Sequence, residues 1–383
     1  MKVVAVSWRD LAHPSAGGAE VMMDQLLSGL CERGHEVALV AGGPVRQRAY
    51  EVIDAGGTYS QYLRAPWVCT RRFRSADVII DTENGLPYFS PLWRRRPSVC
   101  LVHHVHLDQW QARFPAPVST VCRALERHVM PAVYRNRTFV AVSSSTAEAL
   151  KAMGVNQGRI RVIESGVAAP LGPVSEKSME PLFLSLNRLV PHKRIDLLLQ
   201  AWRTASQFVP GRLVVAGDGP ELANVRRVAS SIPRVEVLGR VTEQAKADLL
   251  GKSWAVVSAA HHEGWGMSVM EAAALGTPAI AVDAPGMRDS IVDGVTGILV
   301  RSKDQLGLTD ALADAMKTFA RDPDLQLRLG SAARRRAGEF SWSRSIDLWE
   351  QLLNERSRMT LSERGEASPT SSIHPAGAIE SAT

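Results

Sequence analysis

Short apolar runs alternate with helical patterns along the first half of the chain. The first run covers residues 2–7, and apolar side chains then recur at helical spacing from about Ala19 to Gly34. The next run, residues 36–40, completes a strand–helix–strand order, which predicts a parallel β-α-β unit. Later runs predict four more strands of the same sheet, at residues 78–80, 99–102, 138–142 and 161–163.

The same alternation starts again in the second half of the chain. Residues 168–181 combine prolines with polar residues and show no hydrophobic period, which predicts a linker. Six strands are expected after it, at residues 182–186, 213–216, 235–238, 255–258, 279–282 and 297–300. The accompanying helices are expected at residues 195–208, 268–275, 306–319 and 343–356.

These elements predict an α/β protein with two Rossmann-like, doubly wound domains that face each other across a cleft. The N-terminal domain is expected at residues 1–168 and the C-terminal domain at residues 169–358. The last helix is a candidate for packing back on the N-terminal domain. Residues 359–383 are rich in Ser, Pro, Ala and Gly and poor in large apolar groups, so we expect a disordered tail.

The composition is that of an ordinary globular protein. Of 383 residues, 45% are hydrophobic and 22% are charged, which excludes a wholly disordered chain, a collagen and a coiled coil. No uncharged apolar run approaches the roughly 18 residues of a membrane span, and the start lacks a signal-peptide pattern. We therefore expect a cytoplasmic protein with reduced cysteines. No two of its four cysteines form a C-x-x-C pair; they are Cys31, Cys69, Cys100 and Cys122.

The net charge of +6 lies entirely in the N-terminal half. Residues 1–168 hold 20 Lys and Arg against 14 Asp and Glu, whereas residues 169–383 hold 25 of each. Arginines are densest at residues 71–74 and 94–96. This bias suits an anionic partner, which could be a membrane surface, a phosphorylated acceptor or a nucleic acid. The alternative is a solvated surface without a partner.

The strongest chemical signal follows the predicted strand at residues 255–258, because ligands of parallel sheets bind where the strands end. A Gly-x-Gly turn lies between Glu263 and Glu271, and a predicted helix begins just after it, near Ser268. Free backbone N–H groups at a helix N-terminus suit a phosphate or a developing anion. Glu271 is expected in the first helical turn, where it could also accept hydrogen bonds from vicinal hydroxyls. The alternative is a helix with an acidic first turn and an unrelated upstream Glu263.

Two further segments directly follow the first strand of each domain. In the C-terminal domain, Arg188 could make a bidentate contact with a phosphate, and Lys193 could act as a mobile point charge. A basic surface loop is the alternative. In the N-terminal domain, Gly17 and Gly18 could let the backbone approach a ligand, or could form a plain turn.

A group of histidines follows the predicted strand at residues 99–102. One of His103, His104 and His106 could hydrogen-bond a sugar or shuttle a proton. Strand alternation predicts that His104 points away from the other two, which argues against a metal site made of all three.

Together these segments resemble a retaining glycosyltransferase of the GT-B fold, in the large family 4. The resemblance covers nearly all of residues 1–358 and depends on the order of several short motifs. Residues 163–167 resemble the family's Pro-Asn-Gly-Val junction, with Glu164 and Ser165 in place of Pro and Asn. The other motifs are Gly-Gly-Ala-Glu at 17–20, Arg188 with Lys193, Gly-Asp-Gly-Pro at 217–220, Glu263 and Glu271 around Gly-Trp-Gly, Gly-Thr-Pro at 276–278 and Asp-Gly-x-Thr-Gly at 293–297.

The resemblance implies a role for each matching residue. Arg188 and Lys193 would hold the diphosphate of a nucleotide-sugar donor. Glu271 would bind the ribose, and Glu263 would contact hydroxyls of the sugar. His103 aligns best with the active-site histidine of the family. Further donor contacts would come from Gly17, Gly18, Gly264, Trp265, Gly266, Met267 and Ser268.

The reaction implied by the resemblance is transfer of a sugar from a nucleotide-diphosphate donor to an acceptor hydroxyl, with retention at the anomeric carbon. No metal or other cofactor is expected, because cationic side chains and backbone amides would stabilise the leaving group. The N-terminal half would handle the acceptor, so its positive charge suggests an anionic or lipid-linked acceptor and peripheral attachment to the inner face of the membrane.

Three other classes of protein compete with this interpretation. A sugar-nucleotide epimerase or a phosphorylase would share the GT-B architecture. A nucleic-acid-binding protein would explain the charge, but no recognition motif is present. A nicotinamide dehydrogenase would need a G-x-G-x-x-G fingerprint after the first strand, which the glycines of this chain do not form.

Overall fold

The computed structural model contains two parallel β-sheets. It describes residues 1–168 and 175–363, with side chains described as far as residue 358. Residues 169–174 of the predicted linker and the predicted tail beyond residue 363 lie outside the described residues. The last helix continues to Glu363, so five residues assigned to the tail from the sequence are helical.

The N-terminal sheet has seven parallel strands, which are β1 (Lys2–Ser7), β2 (Glu36–Ala41), β3 (Glu51–Asp54), β4 (Val78–Glu83), β5 (Ser98–Val102), β6 (Thr138–Ala141) and β7 (Ile160–Val162). Their order across the sheet is β3-β2-β1-β4-β5-β6-β7. The sequence pattern did not predict β3, because this edge strand has only four residues, of which two are acidic.

The C-terminal sheet has six parallel strands, which are β8 (Leu182–Leu186), β9 (Arg212–Ala216), β10 (Val235–Gly239), β11 (Ala255–Ser258), β12 (Ala279–Val282) and β13 (Gly297–Val300). Their order is β10-β9-β8-β11-β12-β13. The predicted class, two doubly wound α/β domains, is confirmed. In each sheet the order reverses between two central strands, and such a switch point is where ligands of open parallel sheets bind.

Fifteen helices in the described residues surround the two sheets. Eight of them are α1 (Gly18–Glu32), α2 (Gln61–Arg72), α3 (Ser90–Trp93), α4 (Trp110–Arg113), α5 (Ala116–Ala124), α6 (Met130–Val133), α7 (Ser144–Ala152) and α8 (Ile195–Ala205). The others are α9 (Leu222–Ala229), α10 (Glu243–Lys252), α11 (Met267–Ala274), α12 (Met287–Ser290), α13 (Gln305–Arg321), α14 (Pro323–Ala337) and α15 (Trp342–Glu363). No helix in the described part of the chain is long and apolar enough to cross a membrane.

The central strands are mostly apolar because helices cover both faces of each sheet. β5 and β8 show the consequence, since every residue of β5 and four of the five residues of β8 are buried. In the C-terminal domain Phe183 packs against Trp202 and Phe319, with ring centroids 5.6 and 6.4 Å apart. This core fixes β8, whose carboxyl end leads into the site.

The last helix crosses back to the N-terminal domain. Ile346 and Trp349 of α15 share a buried cluster with Met22 and Leu26 of α1. At the edge of this contact, Arg33 forms ion pairs with Glu350 and Asp347, at 2.7 and 2.6 Å. The chain therefore passes between its two halves twice, once after residue 168 and once at the start of α15.

The two crossings meet at the junction that resembles the family motif. The amide of Val167 donates to the carbonyl of Phe340 at 2.7 Å, and Ser345 donates to the carbonyl of Glu164 at 2.9 Å. A Cβ on Gly166 would lie 2.4 Å from the backbone of Trp342, so only glycine fits there.

Candidate functional site

Loops that follow strands of the two sheets touch each other across the cleft. A Cβ on Gly18 would lie 3.2 Å from Sδ of Met267, and a Cβ on Gly264 would lie 2.7 Å from the carbonyl oxygen of His103. Arg188 reaches across and donates to the carbonyl of Ser15 at 3.2 Å. The residues singled out from the sequence therefore gather in one place, although they come from both halves of the chain.

Lys193 and Glu263 form an ion pair between the loops after β8 and β11. Both side chains are largely buried, with 12% and 17% of their surface exposed. The loops are also joined by the amide of His261, which donates to the carbonyl of His192 at 2.9 Å. A half-buried ammonium beside a carboxylate offers both a phosphate ligand and an acceptor for sugar hydroxyls.

The N-terminus of α11 faces the same space. Gly266 precedes it with φ of 72°, a left-handed conformation that favours glycine. The backbone amides of Met267 and Ser268 find no acceptor among the described residues, so they are free to donate to an anion. The side chain of Trp265 instead packs into the core, with its ring centroid 5.0 Å from that of Phe340.

Glu271 lies in the second turn of α11, not in the first as the sequence suggested, because the helix begins at Met267. Its carboxylate pairs with Lys246 of α10 at 3.1 Å, and Lys246 also pairs with Glu243 at 2.7 Å. Burial raises the pKa of Glu271, while the Lys246 ammonium opposes the shift. No motif in the sequence pointed to Lys246.

Buried histidines line the centre of the cleft. The ring of His104 lies 3.9 Å from that of His106 and 5.0 Å from that of His262. The expectation that His104 points away from His106 is therefore wrong, because residues two apart lie on the same face of an extended chain. Burial lowers the pKa of His103 and of His262 to about 4, with neighbouring His106 adding to both shifts.

Buried carboxylates behind these rings hold His106. His106 Nδ1 lies 3.3 Å from Glu83 at the end of β4 and 3.9 Å from Glu126. Glu126 lies in a π-helical stretch, Leu125–Val129, and also accepts the indole N–H of Trp110 at 2.6 Å. Burial lowers the pKa of His106, but Glu83 and Glu126 outweigh that effect and leave it raised.

The arginine-rich segments of the N-terminal half lie elsewhere. Residues 71–74 and 94–96 directly precede β4 and β5, so they lie at the opposite end of the sheet from the cleft. Arg94 is buried and donates to the carbonyl of Phe73 at 3.2 Å, and Arg72 pairs with Glu51. The hypothesis that these segments contact the acceptor does not fit their positions.

Two Rossmann-like domains that face each other across a cleft are typical of GT-B glycosyltransferases, and comparison with known families agrees. The family model described as Glycosyltransferase Family 4 matches residues 16–169, and the one described as Glycosyl transferases group 1 matches residues 173–336. The chain belongs to the group 1 glycosyltransferases with the GT-B fold.

Characterised relatives are distant. A D-inositol 3-phosphate glycosyltransferase of Streptomyces avermitilis is 30% identical over 55% of this chain and 48% of its own length. A GDP-mannose-dependent alpha-(1-6)-phosphatidylinositol dimannoside mannosyltransferase of Mycobacterium tuberculosis is 24% identical over 90% of this chain and 94% of its own. The chain thus spans about half the length of the inositol phosphate relative.

Solved structures share the fold. A sucrose-phosphate synthase from Thermosynechococcus elongatus superposes with a TM-score of 0.76 at 21% identity, over 93% of this chain and 99% of the other. The Anabaena protein HepE, solved in complex with UDP and glucose, gives a TM-score of 0.74 at 17% identity, over 93% and 100%.

Proposed function

We propose that the protein transfers a sugar from a nucleotide-diphosphate donor to an acceptor hydroxyl, with retention at the anomeric carbon. The observation that carries the proposal is the convergence of Arg188, the Lys193–Glu263 pair and the free amides of Met267 and Ser268 on one cleft. Family membership supports it, as does the UDP complex of a protein with the same fold.

The chemistry follows from where negative charge develops. When the bond between the anomeric carbon and the phosphate oxygen breaks, its electron pair stays on the leaving diphosphate. Arg188, Lys193 and the amides at the start of α11 stabilise that charge from fixed positions, which is the most effective form of electrostatic catalysis. The acceptor oxygen forms the new bond to the anomeric carbon on the face that the leaving group occupied, and its proton passes to the departing phosphate oxygen.

Glu263 and Glu271 position the donor in this scheme. Glu263 accepts hydrogen bonds from the sugar hydroxyls while it holds the Lys193 ammonium beside the diphosphate. Glu271, held by Lys246, accepts bonds from the two ribose hydroxyls. His103, on the loop after β5, contributes a neutral imidazole to the acceptor side, because burial keeps its pKa at about 4.

We propose that catalysis needs no metal. In the described residues, Glu83, His106 and Glu126 are the group close enough to hold a cation, with ligand atoms within 4.8 Å of one another. However, Glu126 already accepts the N–H of Trp110 and the amide of His106, and Glu83 accepts the amide of Gly85 at 2.6 Å. This hydrogen bonding suits a buried structural network better than a metal centre.

The acceptor in this proposal carries a hydroxyl on an anionic or lipid-linked molecule, and the protein works at the inner face of the membrane. The net charge of +6 in the N-terminal half supports this, as do relatives that are named for an inositol phosphate and a phosphatidylinositol dimannoside. A nucleic acid is not proposed as a partner.

A donor panel tests the proposal. The full chain is mixed with UDP-, GDP- and ADP-sugars, thermal stabilisation identifies the ligand, and proton NMR follows its consumption and the anomeric configuration of the first product. We expect one nucleotide sugar to stabilise the protein and to give a retained product in the presence of EDTA. Failure of every donor would overturn the proposed reaction. An inverted product would reject retention, and a loss in EDTA that a divalent cation restores would reject metal independence.

A further inference from the structure

Three arginines meet beside the cleft, and none of them pairs with a carboxylate in the described residues. Arg9 and Arg188 both donate to the carbonyl of Ser15, at 3.1 and 3.2 Å, so their guanidinium groups lie within two hydrogen-bond lengths of each other. Arg113 joins them through Trp8, since the guanidinium carbons of Arg9 and Arg113 lie 4.3 and 4.6 Å from the centre of its ring. We call Arg9, Arg113 and Arg188 the arginine cluster.

No anion within the described part of the chain neutralises this cluster. None of its members forms an ion pair with a carboxylate there. Glu20 is the carboxylate that interacts electrostatically with Arg9. Its Oε2 already accepts a hydrogen bond from the amide of Gly17 at 2.7 Å. Burial lowers the pKa of Arg9 and of Arg113, and Arg188 lowers both further. Arg113 also lowers the pKa of Arg9, whereas Glu20 opposes that shift. Like charges gathered this closely need a counter-ion.

Trp8 holds two of the three groups in place. A guanidinium over an indole ring is stabilised by the quadrupole of the ring, so Arg9 and Arg113 are positioned before any ligand binds. Both residues come from the N-terminal domain, from the loop after β1 and from the end of α4. Arg188 comes from the loop after β8. The cluster therefore lies where the acceptor side of the cleft meets the residue proposed to hold the donor diphosphate.

We propose that Arg9 and Arg113 bind a phosphate group on the acceptor. A guanidinium binds phosphate through two parallel N–H groups, and neighbouring guanidinium groups together match a doubly charged phosphate. This inference rests on the proposed function and names the class of its acceptor as phosphate-bearing. Arg188 lies between the acceptor phosphate and the donor diphosphate and reduces the repulsion between them.

Inorganic phosphate is the probe for this site. The full chain is first saturated with whichever of UDP, GDP or ADP binds it, and phosphate is then titrated by calorimetry at constant ionic strength. We expect Arg9→Met/Arg113→Met to weaken phosphate binding by at least about tenfold, while nucleotide affinity stays within about twofold. Arg9→Lys/Arg113→Lys keeps the charges and should recover part of the phosphate affinity.

The matched control is Arg71→Met/Arg95→Met, which removes two exposed charges at the far end of the same sheet and should bind phosphate as the wild type does. Equal phosphate binding by the wild type and the Arg9→Met/Arg113→Met variant would overturn the proposal, and so would absence of phosphate binding to the wild type. A parallel loss of nucleotide affinity would assign the cluster to the donor instead. If no nucleotide binds, the proposed function fails, but the phosphate titration can still be made without nucleotide.

Flotation with vesicles of phosphatidylcholine and phosphatidylinositol at low salt separates the two sources of the phosphate. Weaker flotation of Arg9→Met/Arg113→Met than of Arg71→Met/Arg95→Met would show that a lipid headgroup presents the phosphate. Equal flotation together with lost phosphate binding would indicate a soluble phosphorylated acceptor. Both results support the site, whereas equal flotation with unchanged phosphate binding contradicts it.

Discussion

Gly264 is the point where the donor-side loop touches the backbone of the acceptor side, so Gly264→Ala tests whether that contact sets the catalytic geometry. The added Cβ would lie 2.7 Å from the carbonyl oxygen of His103 and 3.4 Å from Val142. Carbon–oxygen contacts in proteins are rarely shorter than about 3.3 Å, so the two loops would have to separate by about 0.6 Å. The carbonyl cannot turn away freely, because Thr146 also donates to it at 3.3 Å.

The expected magnitude follows from that displacement. Overpacking of this size costs about 1–3 kcal/mol of folding free energy, which for a chain of this length lowers Tm by roughly 1–4 °C. Misplacing reacting groups by about 1 Å can cost roughly a hundredfold in rate, so we expect kcat/KM for donor turnover to fall by about 10- to 100-fold. Binding of the free nucleotide should change less, because most of its proposed contacts lie in the C-terminal half.

Steady-state kinetics, calorimetry with the nucleotide and thermal unfolding measure the three quantities. Gly57→Ala is the matched control, because its Cβ would meet only Ser60 Oγ, at 3.9 Å. If Gly264→Ala has the kcat/KM and Tm of the wild type, the loops do not depend on this contact and the reasoning is refuted.

Three further changes probe the ribose site, the buried network and the last helix. Glu271→Ala should weaken binding of free nucleotide diphosphate by at least about tenfold in calorimetry, and unchanged binding would exclude the ribose contact. Burial, and to a smaller extent the nearby Glu83 carboxylate, raises the pKa of Glu126 to about 7. The folded state therefore binds more protons than the unfolded state between about pH 4.5 and 7. The stability that this proton uptake contributes is lost as pH rises through that window, so Glu126→Gln should gain Tm relative to the wild type between pH 5 and 8, and a pH-independent difference would contradict this. Gly29→Ala places a Cβ 2.2 Å from Cδ1 of Ile346 and should cost about 1–2 kcal/mol in denaturant unfolding, with partial recovery in Gly29→Ala/Ile346→Val.

The central strands could be predicted because both faces of each sheet are buried. β1, β5 and β8 are short continuous apolar runs, and such runs between turn signals mark a parallel sheet. β3 could not be predicted, because an edge strand of four residues with polar ends resembles a loop. The amphipathic α2 was also missed, since Pro66 and three arginines mask its buried face.

The site was partly predictable for a geometric reason. Ligand-binding residues of parallel sheets follow the strands, so Arg188, Lys193 and Glu263 could be found from the strand pattern alone. The groups that hold Glu271 and His106 could not be found in this way, because Lys246 and Glu126 come from helices whose packing no local pattern encodes.

Charge was informative only after the fold was known. The dense arginines at residues 71–74 and 94–96 drew attention in the sequence but lie away from the cleft. Arg9 and Arg113 are 104 residues apart and isolated in the sequence, yet both stack on Trp8. Local density of like charge measures exposure, whereas a binding site needs charges that converge in space.

The central claim is that Arg188 and Lys193 stabilise the charge of a departing nucleotide diphosphate. It is tested most directly by kcat/KM of Arg188→Ala and Lys193→Ala with the donor found in the panel, using Arg95→Ala as a control. The account predicts losses of about 10²–10³-fold in each variant, mainly in kcat, because the stabilised charge is greatest in the transition state. Rates equal to those of the wild type and of Arg95→Ala would contradict it.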